Sequence, residues 1–388
     1  MKITDRFGPS VTLEDRLVTE KEQYQFDQAM SQRALDLARE GIGLVSPNPL
    51  VGCVIVSADG KIVGEGTYFY DRVTHAEVAA LKKAGEQASG GTAYVSLEPH
   101  AHHGKTPPCT EALINAGITR VVAPIEDPNP LVSGKGFERL REGRIEVVTG
   151  IFADQADKLN EKFRVWHQKQ RPFVHLKLAM SLDGRISLNQ SVSTALSGTD
   201  ALNKVHQLRH EYDAILVGGN TAFIDNPSLT DRSGKPRRRK LVRVVLDNRL
   251  RIPLGSILVT TARETPTLVI SNSSDEEKAA MLCENGVEVL REDARDLRAV
   301  LECLRQRELQ GVLVEGGTEV AGAFCDSRLV DKLTFIAAPI VIGGNSAPFA
   351  IGGKGAATLG STMHLSNIEI VHIGPDIELT GYPDNTAS

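Results

Sequence analysis

THAEVAALKKAG at residues 74–85 and AYVSLEPHAHHGKTPPCTEALINAGITRVV at 93–122 decide how this chain is read. His75 to Ala84 has helical character. Thr92 to Leu97 is an apolar run of strand length. A polar loop follows, then a helical stretch from Pro108 to Ala116 closed by Gly117, then a second strand, Arg120 to Ile125. Strands alternating with helices predict an α/β layered domain.

The same stretches carry chemistry. His75-Ala76-Glu77 opens a helix, Leu97-Glu98-Pro99-His100 ends a strand, and Thr106-Pro107-Pro108-Cys109 begins the next helix. Alone, a His-x-Glu is an ordinary surface-helix pattern, and a lone Cys is a small buried apolar residue. Together they match the nucleobase-deaminase arrangement, a His-x-Glu followed by Pro-Cys and one more ligand. Three protein ligands leave a zinc ion one open position for water, whose pKa the metal lowers. The Glu is not a ligand; it shuttles protons. Cys109 is expected at a helix N-terminus, which favours thiolate over thiol.

Outward from this centre the alternation continues. Gln25 to Arg39 is helical, Leu50 to Val56 is a strand, and a helix near Phe137 to Arg141 precedes a strand at Ile145 to Val148. Asp154 to Gln170 is a polar, helical connector. Arg171-Pro172 interrupts it, and the predicted domain boundary lies there: an extension at 1–24, a first domain at 25–170 and a second at 171–388. Strands are predicted at Phe173–Ala179, Ala214–Val217, Leu241–Leu246, Thr267–Ile270, Gly311–Val314 and Leu333–Ala338, with helices near 199–211, 275–285, 294–307 and 318–327. Ile368 to Leu379 reads as a closing antiparallel pair around Gly374-Pro375.

Bulk properties agree. A chain of 388 residues exceeds one ordinary core, so two domains are expected. With 41% hydrophobic and 24% charged residues the composition is that of a soluble globular protein, and no apolar run reaches membrane-span length. Met1 to Glu22 lacks the basic–apolar–small pattern of a signal peptide, so a cytoplasmic location is expected. Five scattered cysteines (53, 109, 283, 303, 325) do not make a disulfide framework. Cys53 lies mid-strand and is assigned to core packing. A net charge of −5 argues against a nucleic-acid footprint.

The second half holds its own constellation. KLAMSLDGR at 177–185, Leu208-Arg209, LVGGNTAFIDNPSLTDR at 216–232, LVEGG at 313–317 and IGG at 342–344 are Gly-rich or polar segments at strand termini. There the backbone can approach a ligand closely. No GxGxxG occurs, so pattern alone names no cofactor. The basic run Arg237 to Lys240 reads as a solvated loop, with contact to a cofactor 2′-phosphate as the alternative.

Taken with SPNPLVGCVIV at 46–56 and DPNPLVSGKGFERL at 127–140, these segments strongly resemble the bifunctional riboflavin-biosynthesis deaminase–reductase family, over roughly residues 25 to 385. The resemblance implies a cytidine-deaminase-like α/β/α layer followed by a dihydrofolate-reductase-like α/β domain. It implies Zn2+ and NADPH as cofactors, phosphoribosyl pyrimidines as substrates, and a homo-oligomer formed through the reductase domain. By matched motif the zinc ligands are His75, His100 and Cys109, with Glu77 as proton shuttle. Asn48 contacts the pyrimidine, and Lys105, His102, Asp127 and Asn129 lie toward the ribose phosphate. In the reductase, Lys177, Ser197, Arg209, Asp225, Arg232 and Glu315 surround the substrate. Gly218, Thr221, Gly316, Gly317, Gly343 and Gly344, again with Asp225, frame NADPH.

Three departures stand out. His100 occupies the position of a family Cys, Tyr68 that of a His seven residues before His75, and Ala195-Leu196-Ser197 that of a Trp-Ile-Thr. Imidazole is a normal zinc ligand, and the spacings of 25 and 9 residues between the three ligands match the family pattern. A reductase with a decayed deaminase, and a nucleic-acid deaminase or RNA-binding module, are the alternatives.

Overall fold

The computed structural model describes residues 13–102, 107–192 and 194–384. By its internal contacts the chain divides into two compact units: residues 1–45 with 49–161, and 46–48 with 162–388.

The first unit is built on a five-stranded sheet. In chain order its elements are α1 (Leu13–Arg39), β1 (Gly52–Val56), β2 (Ile62–Thr67), α2 (Ala76–Ala84), β3 (Thr92–Val95), α3 (Cys109–Asn115), β4 (Arg120–Val122), α4 (Lys135–Glu142), β5 (Glu146–Val148) and α5 (Ala153–Leu159). The strand order is β2-β1-β3-β4-β5; β1 runs antiparallel to β2 and β3, and β3, β4 and β5 run parallel. Alternate residues serve alternate faces. Val54, Val56, Tyr94 and Val122 pack against Ala34 and Leu37 of α1. Cys53, Ile55, Ala93, Val95 and Val121 pack against Ala76 and Ala80 of α2, Leu113 of α3 and Phe137 and Leu140 of α4. This is the expected α/β/α layer. Helix α2 lies unusually close to β2: a Cβ at Gly64 or Gly66 would stand 2.1 Å from the Ala80 or Ala76 carbonyl oxygen. Only glycine permits that approach.

The second unit follows with α6 (Glu161–Gln168), β6 (Phe173–Ser181), α7 (Thr199–Glu211), β7 (Ala214–Gly218), α8 (Gly219–Ile224), β8 (Val242–Leu246), α9 (Ile257–Thr260), β9 (Thr267–Ser271), α10 (Glu276–Glu284), β10 (Glu288–Arg291), α11 (Leu297–Gln306), β11 (Gly311–Val314), α12 (Thr318–Asp326), β12 (Lys332–Ala338), β13 (Leu365–Ile373) and β14 (Asp376–Pro383). Its nine strands run β10-β9-β8-β7-β11-β6-β12-β14-β13. The first seven in that order are parallel, and β14 and β13 add an antiparallel pair. The inner parallel strands read as continuous apolar runs because helices cover both faces. Val174, Leu176, Leu216 and Val314 pack against Val300, Leu304 and Phe324 on one face, and Ile215, Val245 and Val269 pack against Leu258 and Leu282 on the other. Among the described residues no helix is long and apolar enough to cross a membrane.

Candidate functional site

Each unit has its own candidate site. In the first, the close seat of α2 on β2 fixes the helix start. His75 is the N-cap of α2 with extended backbone (φ −68°, ψ 155°), and Glu77 is buried in the first turn. Cys109 begins α3 after the extended Pro108, fully buried. The Thr110 amide donates to the His100 carbonyl at 3.3 Å, tying the His100 loop to the start of α3.

One ligand atom from each of His75, His100 and Cys109 lies within 4.8 Å of the others. The two imidazole rings stack at 4.5 Å between centroids. Tyr68 is buried with its ring 5.4 Å from that of His75, and so braces that imidazole.

The electrostatics fit a cation. Burial pushes the Cys109 thiol well up, and the neighbouring Glu77 carboxylate pushes it further. The helix-start advantage expected for a thiolate is therefore overridden here, and a divalent ion is what would restore it. Glu77 Oε2 is buried with no hydrogen-bond partner among the described residues. Two imidazoles, one thiol and a buried carboxylate with one oxygen unpartnered are a donor set suited to zinc plus a water.

Glu98, quoted above in its motif but given no role, organises the loop behind this cluster. Its buried carboxylate accepts four backbone N–H groups: Asp127 (2.9 Å), Gly134 (3.0 Å), Gly136 (2.7 Å) and Phe137 (3.2 Å). The sequence signal was available: an acid between a strand end and Pro99, two residues before a candidate ligand. Asp127 is buried and accepts the Asn129 amide at 2.7 Å; burial raises its carboxyl to about 7. Asn129 is half-buried and accepts the Leu131 amide. His102 is exposed, with its ring 5.1 Å from that of His100. Asn48 is half-buried in the loop before β1, and Lys105 lies outside the described residues. Cys53 is fully buried mid-strand, as expected.

In the second unit, Lys177 points from the central strand β6 into the interior, and burial lowers its pKa. Arg209 on α7 donates from Nε and Nη2 to both oxygens of Glu315, just beyond β11, at 2.7 and 2.9 Å. Burial alone would raise the Glu315 carboxyl. Arg209 and then Lys177 outweigh it, and the carboxyl is held low. Arg209 Nη1 also donates to the Thr230 carbonyl, anchoring the loop that presents Arg232. Arg232 is exposed and donates to Thr230 Oγ1 and Ser228 Oγ. Asp225 is the exposed C-cap of α8. The Ser197 hydroxyl is buried with no partner among the described residues.

A groove of about 940 Å³ opens at the carboxyl ends of the parallel strands, where α/β sheets bind ligands. Gly218, Thr221, Asp225 and Gly317 line it. Gly316 lies buried behind, where a Cβ would stand 3.1 Å from the Val217 Cα. Gly343 and Gly344 have left-handed backbone (φ 66° and 73°) in the loop after β12. Asp183 accepts the Ser181 hydroxyl at 2.6 Å, and this bond, followed by those from the Ile342 and Gly343 amides at 3.0 and 2.7 Å, brings its carboxyl down to about 2.

The basic run corrects an expectation. Arg237 is no solvated loop residue: it donates to the carbonyls of Arg209, His210 and Tyr212 and to Asp231. Arg239 donates to the Arg307 and Glu308 carbonyls. Carbonyl-rich turns consumed these guanidiniums, which sequence alone does not reveal.

Comparison with known proteins gives both halves a counterpart. Residues 24–124 match the cytidine and deoxycytidylate deaminase zinc-binding region, and residues 172–379 match the RibD C-terminal domain. The riboflavin biosynthesis protein RibD of Actinobacillus pleuropneumoniae is 40% identical over 352 residues, 90% of this chain and 93% of that protein. The RibD of Bacillus amyloliquefaciens is 41% identical over 90% of this chain and 94% of its own length. Among solved structures, a Thermotoga maritima diaminohydroxyphosphoribosylaminopyrimidine deaminase/5-amino-6-(5-phosphoribosylamino)uracil reductase superimposes with a TM-score of 0.82 at 34% identity, covering 93% of this chain and 99% of that one. Acinetobacter baumannii RibD gives 0.80 at 36% identity, covering 92% and 99%.

Proposed function

The chain belongs to the RibD family of bifunctional riboflavin-biosynthesis deaminase–reductases, and we propose how its own residues divide the two reactions. Residues 25–170 deaminate diaminohydroxyphosphoribosylaminopyrimidine, and residues 171–388 reduce the resulting 5-amino-6-(5-phosphoribosylamino)uracil. The start of the reductase-domain match at residue 172 supports that boundary. The reading keeps the expected cytoplasmic location and a homo-oligomer.

In the deaminase, His75, His100 and Cys109 hold zinc, which supplies the Lewis acidity that makes water nucleophilic at neutral pH. Glu77 would take one proton from the attacking water and give it to the ring nitrogen, and would then carry the second water proton to the amino group, which leaves as ammonia. The buried Oε2 of Glu77, without a hydrogen-bond partner among the described residues, fits this role. Asn48 orients the pyrimidine. His102, Asp127 and Asn129 are assigned to the ribose-phosphate side, and the sequence motif assigns Lys105 with them.

In the reductase, NADPH would lie in the groove lined by Gly218, Thr221 and Gly317, with Gly316 behind it and Gly343 and Gly344 in the loop after β12, and would supply hydride to C1′. Lys177, Arg209 and Arg232 hold the phosphoribosyl group, with Ser197 lending its unpartnered hydroxyl. Glu315 keeps Arg209 in place through the two-pronged ion pair. Asp225, exposed at the rim, exchanges the proton that ring opening requires.

One observation carries the reading: the convergence of His75, His100 and Cys109 beside buried Glu77. Glu77→Gln should retain zinc, release no ammonia, and reduce the deaminated substrate at the wild-type rate. Loss of both reactions together would sink the division.

A further inference from the structure

The loop that carries Asn48 is poorly equipped to hold its own shape. In Ser46-Pro47-Asn48-Pro49-Leu50 the two prolines have no backbone N–H, so the segment has few donors with which to tie itself. It also lies outside the sheet, since β1 begins at Gly52. Two fastenings tie its ends to the segment that leads into the metal cluster. The Tyr70 amide donates to the Leu44 carbonyl at 3.3 Å, and the Tyr68 amide donates to the Val51 carbonyl at 2.9 Å. Tyr68 is the residue whose ring lies beside that of His75. Just beyond, the Gly52 amide donates to Ser96 Oγ and the Gly52 carbonyl accepts the Ser96 amide, each at 3.0 Å.

A further fastening comes from 110 residues along the chain. Asn160, the C-cap of α5, is buried, and its carboxamide meets both backbone groups of Leu50. Its Oδ1 accepts the Leu50 amide at 2.8 Å, and its Nδ2 donates to the Leu50 carbonyl at 3.0 Å. Both residues belong to the first unit. Leu50 is itself buried, and leaving its N–H and C=O unpaired would be costly. A carboxamide presents one acceptor and one donor side by side, which a carboxylate, a hydroxyl or an alkyl group does not. Asn160 therefore does for Leu50 what a neighbouring strand does for a strand residue. Pro49 has no N–H, so Leu50 is the first residue after Asn48 at which such a two-pronged clamp can act.

We propose that Asn160 is a positioning residue of the deaminase: by clamping Leu50 it sets Asn48, two residues earlier, against the pyrimidine. It touches neither substrate nor metal and acts through the loop alone. Without it the loop keeps its ties to residues 68–70 but loses the one that fixes its exit, and the loss falls on substrate binding. The inference rests on the role of Asn48 given above.

The test is steady-state ammonia release by the full-length, zinc-replete protein given the phosphoribosyl diaminopyrimidine. Asn160→Ala should raise KM about tenfold and keep kcat within about threefold. Its zinc content and its rate on the deaminated substrate should match the wild type, which reports an intact fold. Asn160→Asp keeps the acceptor and loses the donor, and should raise KM about threefold. Asn48→Ala should raise KM at least as much as Asn160→Ala. The double variant should be no worse than Asn48→Ala alone, because one residue acts through the other. Should Asn160→Ala lose zinc or reductase activity, Asn160→Asp alone and combined with Asn48→Ala decides by the same criterion. Losses that add in the double variant, an unchanged KM, or loss of zinc from Asn160→Asp would overturn the assignment. An Asn48→Ala variant with wild-type KM would instead remove the reading of Asn48, and this inference with it.

Discussion

Asp231 shows how single side chains position the reductase site. Burial pushes its carboxyl up, but bonds from Ser233, Arg237 and His210 outweigh that and bring it to about 2. The folded value lies below the unfolded one near 3.8. The stabilisation is therefore present above pH ~4 and is lost as pH falls through 2, and its size is about 2 kcal/mol. Asp231→Asn should lower unfolding stability by about that much at pH 7, with the gap to wild type closing between about pH 4 and 2. A gap that stays constant with pH in denaturant melts would contradict the assignment. At this scale the sequence was only partly informative. His75, Glu77 and Cys109 are visible because zinc chemistry demands those types at those spacings. Arg237 and Glu98 act through backbone carbonyls and amides far along the chain, and such partners leave no local pattern.

Among the elements, α2 sets the metal cluster, and two glycines of β2 set α2. Gly66→Ala would put a methyl carbon 2.1 Å from the Ala76 carbonyl oxygen, one residue from the His75 ligand. The helix must move outward, at a cost of about 3 kcal/mol. The variant should melt earlier and lose zinc by metal analysis; unchanged zinc content with unchanged melting would show that β2 does not fix the ligand. Strand β2 itself was not legible, because Ile-Val-Gly-Glu-Gly-Thr lacks the apolar alternation of a strand. The other strand missed, β10, is the polar Glu-Val-Leu-Arg. Both lie at sheet edges, paired on one side only, where burial no longer dictates composition. The inner strands, buried on both faces, were legible almost residue for residue. Helix α1 begins at Leu13, well before the expected Gln25, because the polar run Thr19-Glu20-Lys21-Glu22-Gln23 breaks the apolar period ahead of Phe26.

Across the whole molecule, two independent sheets each carry a site at the ends of their strands and helices, and the family relation accounts for their presence on one chain. The change from Cys to His at residue 100 bears on only one of them. On the proposed ligand set it puts a neutral donor in place of a thiolate, which would leave the site one unit more positive, strengthen the Lewis acidity of a bound zinc and loosen its hold. The measurement that tests the account most directly is ammonia release by zinc-replete protein given the phosphoribosyl diaminopyrimidine without NADPH. The account predicts ammonia at catalytic turnover, abolished by a chelator and restored by zinc. No ammonia, with NADPH still oxidised on the deaminated substrate, would contradict it and leave only the reductase at work.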